Sequence, residues 1–475
     1  MRRFLLLIAL FPALAPAQAP PERIFTRSAL LQLIEDNHPA ARQAALRTDM
    51  GTASVRAARG AFDPKAFASR QEKNFENKEY YNLLDAGLRV PTWFGVELYG
   101  GLEDNSGELL DPQQTTPAEG LLKAGVSVTV GQGLFIDERR ADLRKAQAYQ
   151  GMADAERLQL LNEVYYNALS DHLDWVAAFK QFGVNTEALA QAVIRLNAVR
   201  SNFQGGDRPA IDTLEALLQV QDRELRLRDA RLTFRNATVQ LSNHLWDNDL
   251  RPLEIGEELQ PDTNDLLPPT RLPMLDTLLQ QAMREHPKLL MFQGKVEQLD
   301  IERRLRTEFL KPQLDLNYTL LGRGAAVTEG GAANWNNQNM QWGFGFSMPI
   351  LLRKERGELS LAKLRMLDAE LGLDRERQGI RTTIGQRSND LAIFQEQVGL
   401  VADMVRNSRG LLNGENRRFD AGESSLFLVN IREVAWLESR MKLVTMETKY
   451  RRAFYTLDKE SGILWRTALA EINPN

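Results

Sequence analysis

Two stretches of this chain, Asp137 to Asn202 and Lys354 to Arg418, run for roughly 65 residues each without a proline. At ~1.5 Å per residue a continuous helix of that length spans on the order of 95 Å, several times the width of an ordinary domain. In the first, Leu158, Leu161, Tyr165, Leu169, Leu173 and Val176 recur at steps of three and four, the spacing of one apolar helix face. Each stretch ends in a glycine break, "QGGDRP" or "DAGESS", and a second helical stretch follows, Ala210–Leu245 or Leu426–Leu464. Helices this long cannot fold back into a compact globule. Paired antiparallel about short glycine turns, they form coiled-coil hairpins.

The two hairpins belong to a duplication. "NHPAARQAA" (37–45) corresponds to "EHPKLLMFQ" (285–293), with His38 matching His286 and Pro64 matching Pro312. Further on, Arg140 matches Arg356, Phe203 matches Phe419 and Gly206 matches Gly422. The offset falls from 248 at His38/His286 to 216 at Arg140/Arg356, so the first half carries 32 extra residues between these landmarks. The spacing predicts repeat 1 over 18–245, with a helix at 38–61, strands within about 65–130 and a helical hairpin at 137–245. A linker and short helix follow at 246–285. Repeat 2 covers 286–464, with a helix at 287–309, strands within about 313–349 and a hairpin at 354–464, and a tail closes the chain at 465–475. The segment 246–273 is rich in Pro and Asp and reads as an irregular belt.

Between the helices the periodicity changes from 3.6 to two. Leu122, Ala124, Val126, Val128 and Val130 alternate with Lys123, Gly125, Ser127 and Thr129; Leu314, Leu316, Tyr318 and Leu320 alternate with Asp315, Asn317 and Thr319. Trp342, Phe344, Phe346 and Met348 alternate with Gly343, Gly345 and Ser347. Such strands have one apolar and one polar face. "LLDAGLRVP" (83–91) and "FGVELYGG" (94–101) alternate as well, and "KAFASRQEKNF" (65–75) alternates poorly, giving four strands in the first half and two in the second. Tyr80, Tyr81, Trp93, Tyr99, Trp335 and Trp342 lie near strand ends, as the aromatic girdles of membrane barrels do.

The N-terminus explains how such strands could meet lipid. Arg2 and Arg3, an apolar run from Phe4 to Leu14 and small residues at Ala15 and Ala17 have the three parts of a secretory signal peptide, residues 1–17. Beyond it no apolar run approaches the ~20 residues of a spanning helix, so any entry into a membrane is by β-strands. Four to six strands cannot close a barrel, and open edges in lipid cost several kcal/mol per unpaired backbone group. Several copies therefore share one barrel, and three would supply twelve to eighteen strands. The alternative is a soluble sandwich on a periplasmic coiled-coil scaffold without a pore.

Composition excludes other classes. The chain has no cysteine, hence no disulfide, thiolate metal site or catalytic thiol, and its formal charge of −4 argues against nucleic acid as a partner. No catalytic, nucleotide-binding or cofactor motif occurs, and the chain does not read as an enzyme. His38, His172, His244 and His286 are far apart in sequence; His38 and His286 stand at equivalent helix starts, a structural position rather than a ligand pair.

The repeat openings, the strand-to-helix passages "GQGLFIDERRADLRKAQA" and "MPILLRKERGELSLAKLR", and the tips "FQGGDRPAIDTLEALLQVQ" and "FDAGESSLFLVNIREVAWLES" resemble the TolC-like outer membrane factor (outer membrane efflux protein) family over nearly the whole mature length. That resemblance implies a mixed α and β fold: a trimeric outer-membrane β-barrel continued by a long periplasmic α-helical barrel built from two internal repeats. It implies an exit duct of a tripartite efflux or type I secretion system, fed through a periplasmic adaptor by an inner-membrane transporter. Gly206 and Gly422 match the family's tip glycines, beside which adaptor hairpins dock. Asp212 fits the carboxylate ring that narrows the entrance, whereas the equivalent second-repeat position is Leu428; Asp207, Asp420 and Glu423 are substitutes for it. Arg208 and Ser424 are placed to hold the closed tip.

Overall fold

The computed structural model describes residues 23–207, 209–256, 259–267, 274–324 and 338–472. The signal-peptide region, Arg208 and Trp335 lie outside the described residues.

The helices come in duplicated pairs. Helix α1 (Arg27–Asn37) leads into α2 (Pro39–Arg59), and α5 (Leu275–Glu285) into α6 (Pro287–Glu308), at the same offset of 248 as the sequence landmarks. The joint in each pair is a His-Pro step. The proline, at N1, needs no amide partner, and the imidazole before it accepts a hydrogen bond from the second amide beyond: Ala40 N–H to His38 Nδ1 at 3.1 Å and Lys288 N–H to His286 Nδ1 at 3.2 Å. The duplication thus begins a helix earlier than the repeat openings, at Arg27 and Leu275.

The long helices are α3 (Glu138–Gln204) and α7 (Arg353–Asp420), returned by α4 (Ala210–Ser242) and α8 (Leu426–Glu460). Asp137 caps α3, accepting from Arg140 N–H at 2.8 Å. The helix expected over Leu426–Leu464 stops at Glu460, because Gly462 turns the chain at a φ of 73°. The tail beyond folds as α9 (Leu464–Ile472).

The strands are β1 (Arg23–Phe25), β2 (Lys65–Phe75), β3 (Lys78–Pro91), β4 (Val96–Ser106), β5 (Leu121–Gly131), β6 (Leu259–Pro261), β7 (Gln313–Arg323) and β8 (Met340–Ser347). Strands β1 and β6 make a small parallel clip between the N-terminus and the linker. The other six form one antiparallel sheet in the order β2-β3-β4-β5-β7-β8. The poorly alternating segment 65–75 is a full strand, and it forms one edge of the sheet.

At the level nearest the sheet, α2, α3, α6 and α7 stand side by side in that order; at the far level the order is α4, α3, α8, α7. Helices α3 and α7 run through both levels. The largest core lies at the equator between them, where Leu30, Ile34, Leu169, Leu173, Trp175, Leu241, Leu266, Tyr455 and Leu464 gather from α1, α3, α4, the linker, α8 and α9. Arg27 clasps this knot, donating to Glu471 at 2.7 Å and to the Tyr455 hydroxyl at 3.1 Å, with Asp265 at 3.5 Å. The sheet rises from one side of the equator and the hairpins run from the other.

Candidate functional site

The functional parts of this molecule are two faces of a sheet and the far end of four helices. Successive side chains of a strand point to opposite sides, so the register sorts the sheet into two surfaces. One carries Asp85, Arg89, Glu97, Glu103, Lys123, Ser127, Thr129, Asp315, Asn317 and Thr319. Lys123 pairs with Glu103, Arg139 reaches Glu97 at 3.4 Å and the Thr129 hydroxyl donates to Asp315 at 2.7 Å. Tyr99 lies flat on this surface. Its ring crosses Gly125, where a Cβ would meet ring atoms at 2.4 Å, and its hydroxyl bonds Thr319. Tyr99 is therefore a mid-strand residue of the polar face and no part of a girdle.

The opposite surface is apolar across all the strands except β2: Leu84, Leu88, Val90, Leu98, Leu102, Val126, Val128, Leu316, Leu320, Phe344 and Phe346. Among the described residues no second layer covers it, and Trp342, Phe344 and Phe346 are 70%, 59% and 61% exposed. The soluble-sandwich alternative lacks its second layer. Below the sheet, Trp93 and Phe94 in the β3–β4 turn, Leu134 and Phe135 before α3, and Ile350 and Leu351 before α7 are all exposed. Trp93 stacks on Phe62, ring centroids 4.5 Å apart. At the other end Phe75 and Tyr80 meet edge to face. Apolar and aromatic side chains thus bound the surface at both ends, as a lipid-facing band requires.

Both tips have the same turn. Gly206 N–H bonds Phe203 O and Asp207 N–H bonds Asn202 O; Gly422 N–H bonds Phe419 O and Glu423 N–H bonds Arg418 O, at 2.8–3.0 Å. These paired bonds close a helix only when the glycine adopts positive φ, here 84° and 79°. Asp207, Asp420 and Glu423 are exposed on the turns. Asp212 sits in the first turn of α4, and among the described residues no side chain engages its carboxylate. Ser424 donates to Glu415, a buried carboxylate of α7 that Arg418 and Arg432 approach at 3.7 and 3.9 Å. Glu415, not a neighbouring turn, is what Ser424 holds, and nothing in the local sequence marked it.

Sequence reasoning also missed what binds the hairpins together. Asn430 donates to Glu215 at 3.0 Å, and Arg195 bonds Asn430 and Glu433. Arg223 is 2% exposed beside this group; burial lowers its pKa while the Glu433 and Asp222 carboxylates hold it up. Glu215 and Arg223 belong to this joint. Above it, α3 and α8 are bridged by Glu187–Arg440 at 2.8 Å, Lys180–Glu447 at 3.1 Å and Asp174–Arg452 at 2.5 Å. The signs alternate rung by rung at steps of five to eight residues, a pattern readable once the partner helix is known.

The histidines are structural. His38 and His286 cap helices, His244 bonds Asp171 at 2.8 Å and stacks on His38, and His172 is fully buried. No grouping of metal-ligating side chains occurs among the described residues, and no described helix is long and apolar enough to cross a membrane.

No protein-family model matches the sequence, and no curated protein is a significant match. Solved structures do match. The Campylobacter jejuni CmeC outer membrane channel aligns with a TM-score of 0.62 at 16% identity, over 92% of this chain and 85% of that one. The outer membrane protein VceC of Vibrio cholerae gives 0.62 at 13%, over 91% and 95%. The Neisseria gonorrhoeae MtrE outer membrane channel, in its open state, gives 0.63 at 13%, over 92% and 89%. The chain therefore has the fold of outer-membrane channels, and its resemblance to the TolC-like outer membrane factors holds at the level of fold.

Proposed function

We propose that this chain is one third of a passive outer-membrane exit duct that extends into the periplasm after removal of its signal peptide. The observation that carries the reading is the pair of open edges at every level. Strands β2 and β8 end the sheet, α2 and α7 end the upper helical arc, and α4 and α7 end the lower one. The helical edges carry exposed apolar stripes: Ile211, Leu214, Leu218, Leu225, Leu232 and Val239 on α4, and Leu364, Leu371, Ile393 and Leu400 on α7. The steps of three, four and seven on α4, and of seven within the pairs Leu364/Leu371 and Ile393/Leu400 on α7, are those of a coiled-coil seam. One chain exposes 29905 Å², against about 18,000 Å² for a compact monomer of its length. A closed ring of three copies covers these edges, places the apolar sheet face in lipid and leaves the polar face around a water-filled bore.

In this reading the tips at Gly206 and Gly422 form the periplasmic entrance. Exposed Phe203, Ile211, Phe427 and Ile431 beside them suit docking by a periplasmic adaptor that couples the duct to an inner-membrane transporter. Asp207, Asp212, Asp420 and Glu423, repeated about a three-fold axis, would favour cations there. The Arg195–Glu433 joint holds the tip shut, and Ser424 stiffens its own turn through Glu415. The cargo, small toxic molecules or proteins, is selected by the pump rather than by the duct.

Single-channel recording in a planar bilayer tests this. Discrete conductance steps are expected, with reduced cation selectivity in Asp212→Ala and larger steps in Arg195→Ala. Silence of both the wild type and the Arg195→Ala variant would return the chain to the pore-free scaffold.

A further inference from the structure

The duplication and the sheet order together single out one hairpin. Strand β2 begins at Lys65 and β7 at Gln313, an offset of 248, while β5 ends at Gly131 and β8 at Ser347, an offset of 216. Strands β2 and β5 are thus the counterparts of β7 and β8, and β3 with β4 has no counterpart. This pair is the 32-residue excess of the first repeat. It does not hang from an edge of the sheet. It lies between β2 and β5, so the edge strands are those a four-stranded protomer would have.

The hairpin is built for a wall. Leu84, Ala86, Leu88 and Val90 of β3 and Leu98 and Leu102 of β4 continue the apolar face in phase with β5 and β7. Asp85, Arg89, Glu97 and Glu103 continue the polar one. Its lower turn carries Trp93 and Phe94 at the apolar boundary shared with Phe135 and Ile350. A flap outside the membrane has no need of such alternation in register with its neighbours.

We propose, on the outer-membrane reading above, that the β3–β4 hairpin is an inserted bore-widening element that also supplies part of the charged lining. Six strands per chain in three copies close a barrel of eighteen rather than twelve. At ~4.8 Å between strands and about 40° of tilt, eighteen strands close at roughly 36 Å between backbone walls, and twelve at roughly 24 Å. Twelve helices at about 9 Å close at roughly 35 Å. The wider barrel matches the helical tube below it. The membrane passage is then no narrower than the tube, and the size limit on cargo falls to the tips.

Because the chain has no cysteine, single introduced cysteines report unambiguously. Nitroxide labels at Leu84→Cys, Asp85→Cys, Ala86→Cys, Leu88→Cys and Arg89→Cys in β3, with Leu314→Cys, Asp315→Cys, Leu316→Cys and Asn317→Cys in β7 as reference, are probed in vesicles with oxygen and a water-soluble nickel chelate. Lipid-type and water-type accessibility alternating with period two in both strands is the expected result. Alternation in β7 with water-type accessibility throughout β3 overturns the proposal and leaves the outer-membrane reading intact. Loss of alternation in both strands overturns that reading as well. Deleting residues 76–107 is expected to lower the diameter of the largest polyethylene glycol admitted from the outer side by about a third; an unchanged cutoff would show that the hairpin does not set the bore.

Discussion

His38 and His286 do the same work at the same place in each repeat, and that work has a pH signature. Each imidazole accepts an amide through Nδ1, which only an unprotonated nitrogen can do, and burial pushes both down to about 4. Burial takes His172 to about 3 and raises Asp458 to about 7. Below about pH 6.5 the unfolded chain takes up protons on these histidines that the folded chain refuses. Stability therefore falls as pH drops from about 6.5 to 4. Asp458 works against this, since its folded carboxyl binds a proton that an ordinary aspartate lacks in that window, but it is one group against three. Replacing His286 by Asn, which caps without titrating, should flatten the dependence of melting temperature on pH, removing at most about 1.4 kcal/mol per pH unit. An unchanged slope would mean that His286 is protonated in the fold. The capping role was legible from the paired His-Pro steps. The stack of His38 on His244 was not, because it depends on where α4 ends.

The α3–α8 ladder is a property of the elements. Asp174, Lys180, Glu187 and Arg195 face Arg452, Glu447, Arg440 and Glu433, so a slip of one rung would set like charges opposite. The ladder fixes the axial register of the two repeats while permitting rotation about it. Each partly exposed rung contributes only about 0.2–1 kcal/mol. Glu187→Arg should therefore lower thermal stability modestly, and Arg440→Glu in the same chain should restore it. A double variant no better than the single would show that the rung carries no coupling. The long helices were legible because nothing interrupts their 3.6 period over many turns. Helices α1 and α9 were not, since each is short and is held by the equatorial core more than by its own pattern, whereas α5 is the short helix expected at the end of the linker. Strand β2 was counted among the four strands of the first half but was the least legible of them. Phe67 stands on its polar side, Arg70 and Glu72 on the other, so its two faces are mixed and the alternation is blurred.

At the scale of the whole molecule, one chain carries an apolar sheet face and uncovered edges, which the proposed ring would cover. The proposal of several copies goes back to the strand count, because too few strands alternate to close a barrel. The sheet order was not legible, since nothing local says that an inserted hairpin enters the middle of a sheet. In the proposed trimer the three chains share a single entrance, because every chain contributes a third of one wall. This couples the copies in a cell as well as in a bilayer. A variant with intact edges but a locked tip, such as Arg195→Cys joined to Glu433→Cys, would enter rings beside normal chains and stop each ring it entered. Made in equal amount with the wild type, it would leave about one ring in eight wholly normal. Export should then fall far below half, whereas a fall to one half would mean that each chain conducts alone. A recessive-looking lesson in side-chain chemistry thus becomes a dominant trait, inherited from the shape of an unfinished circle.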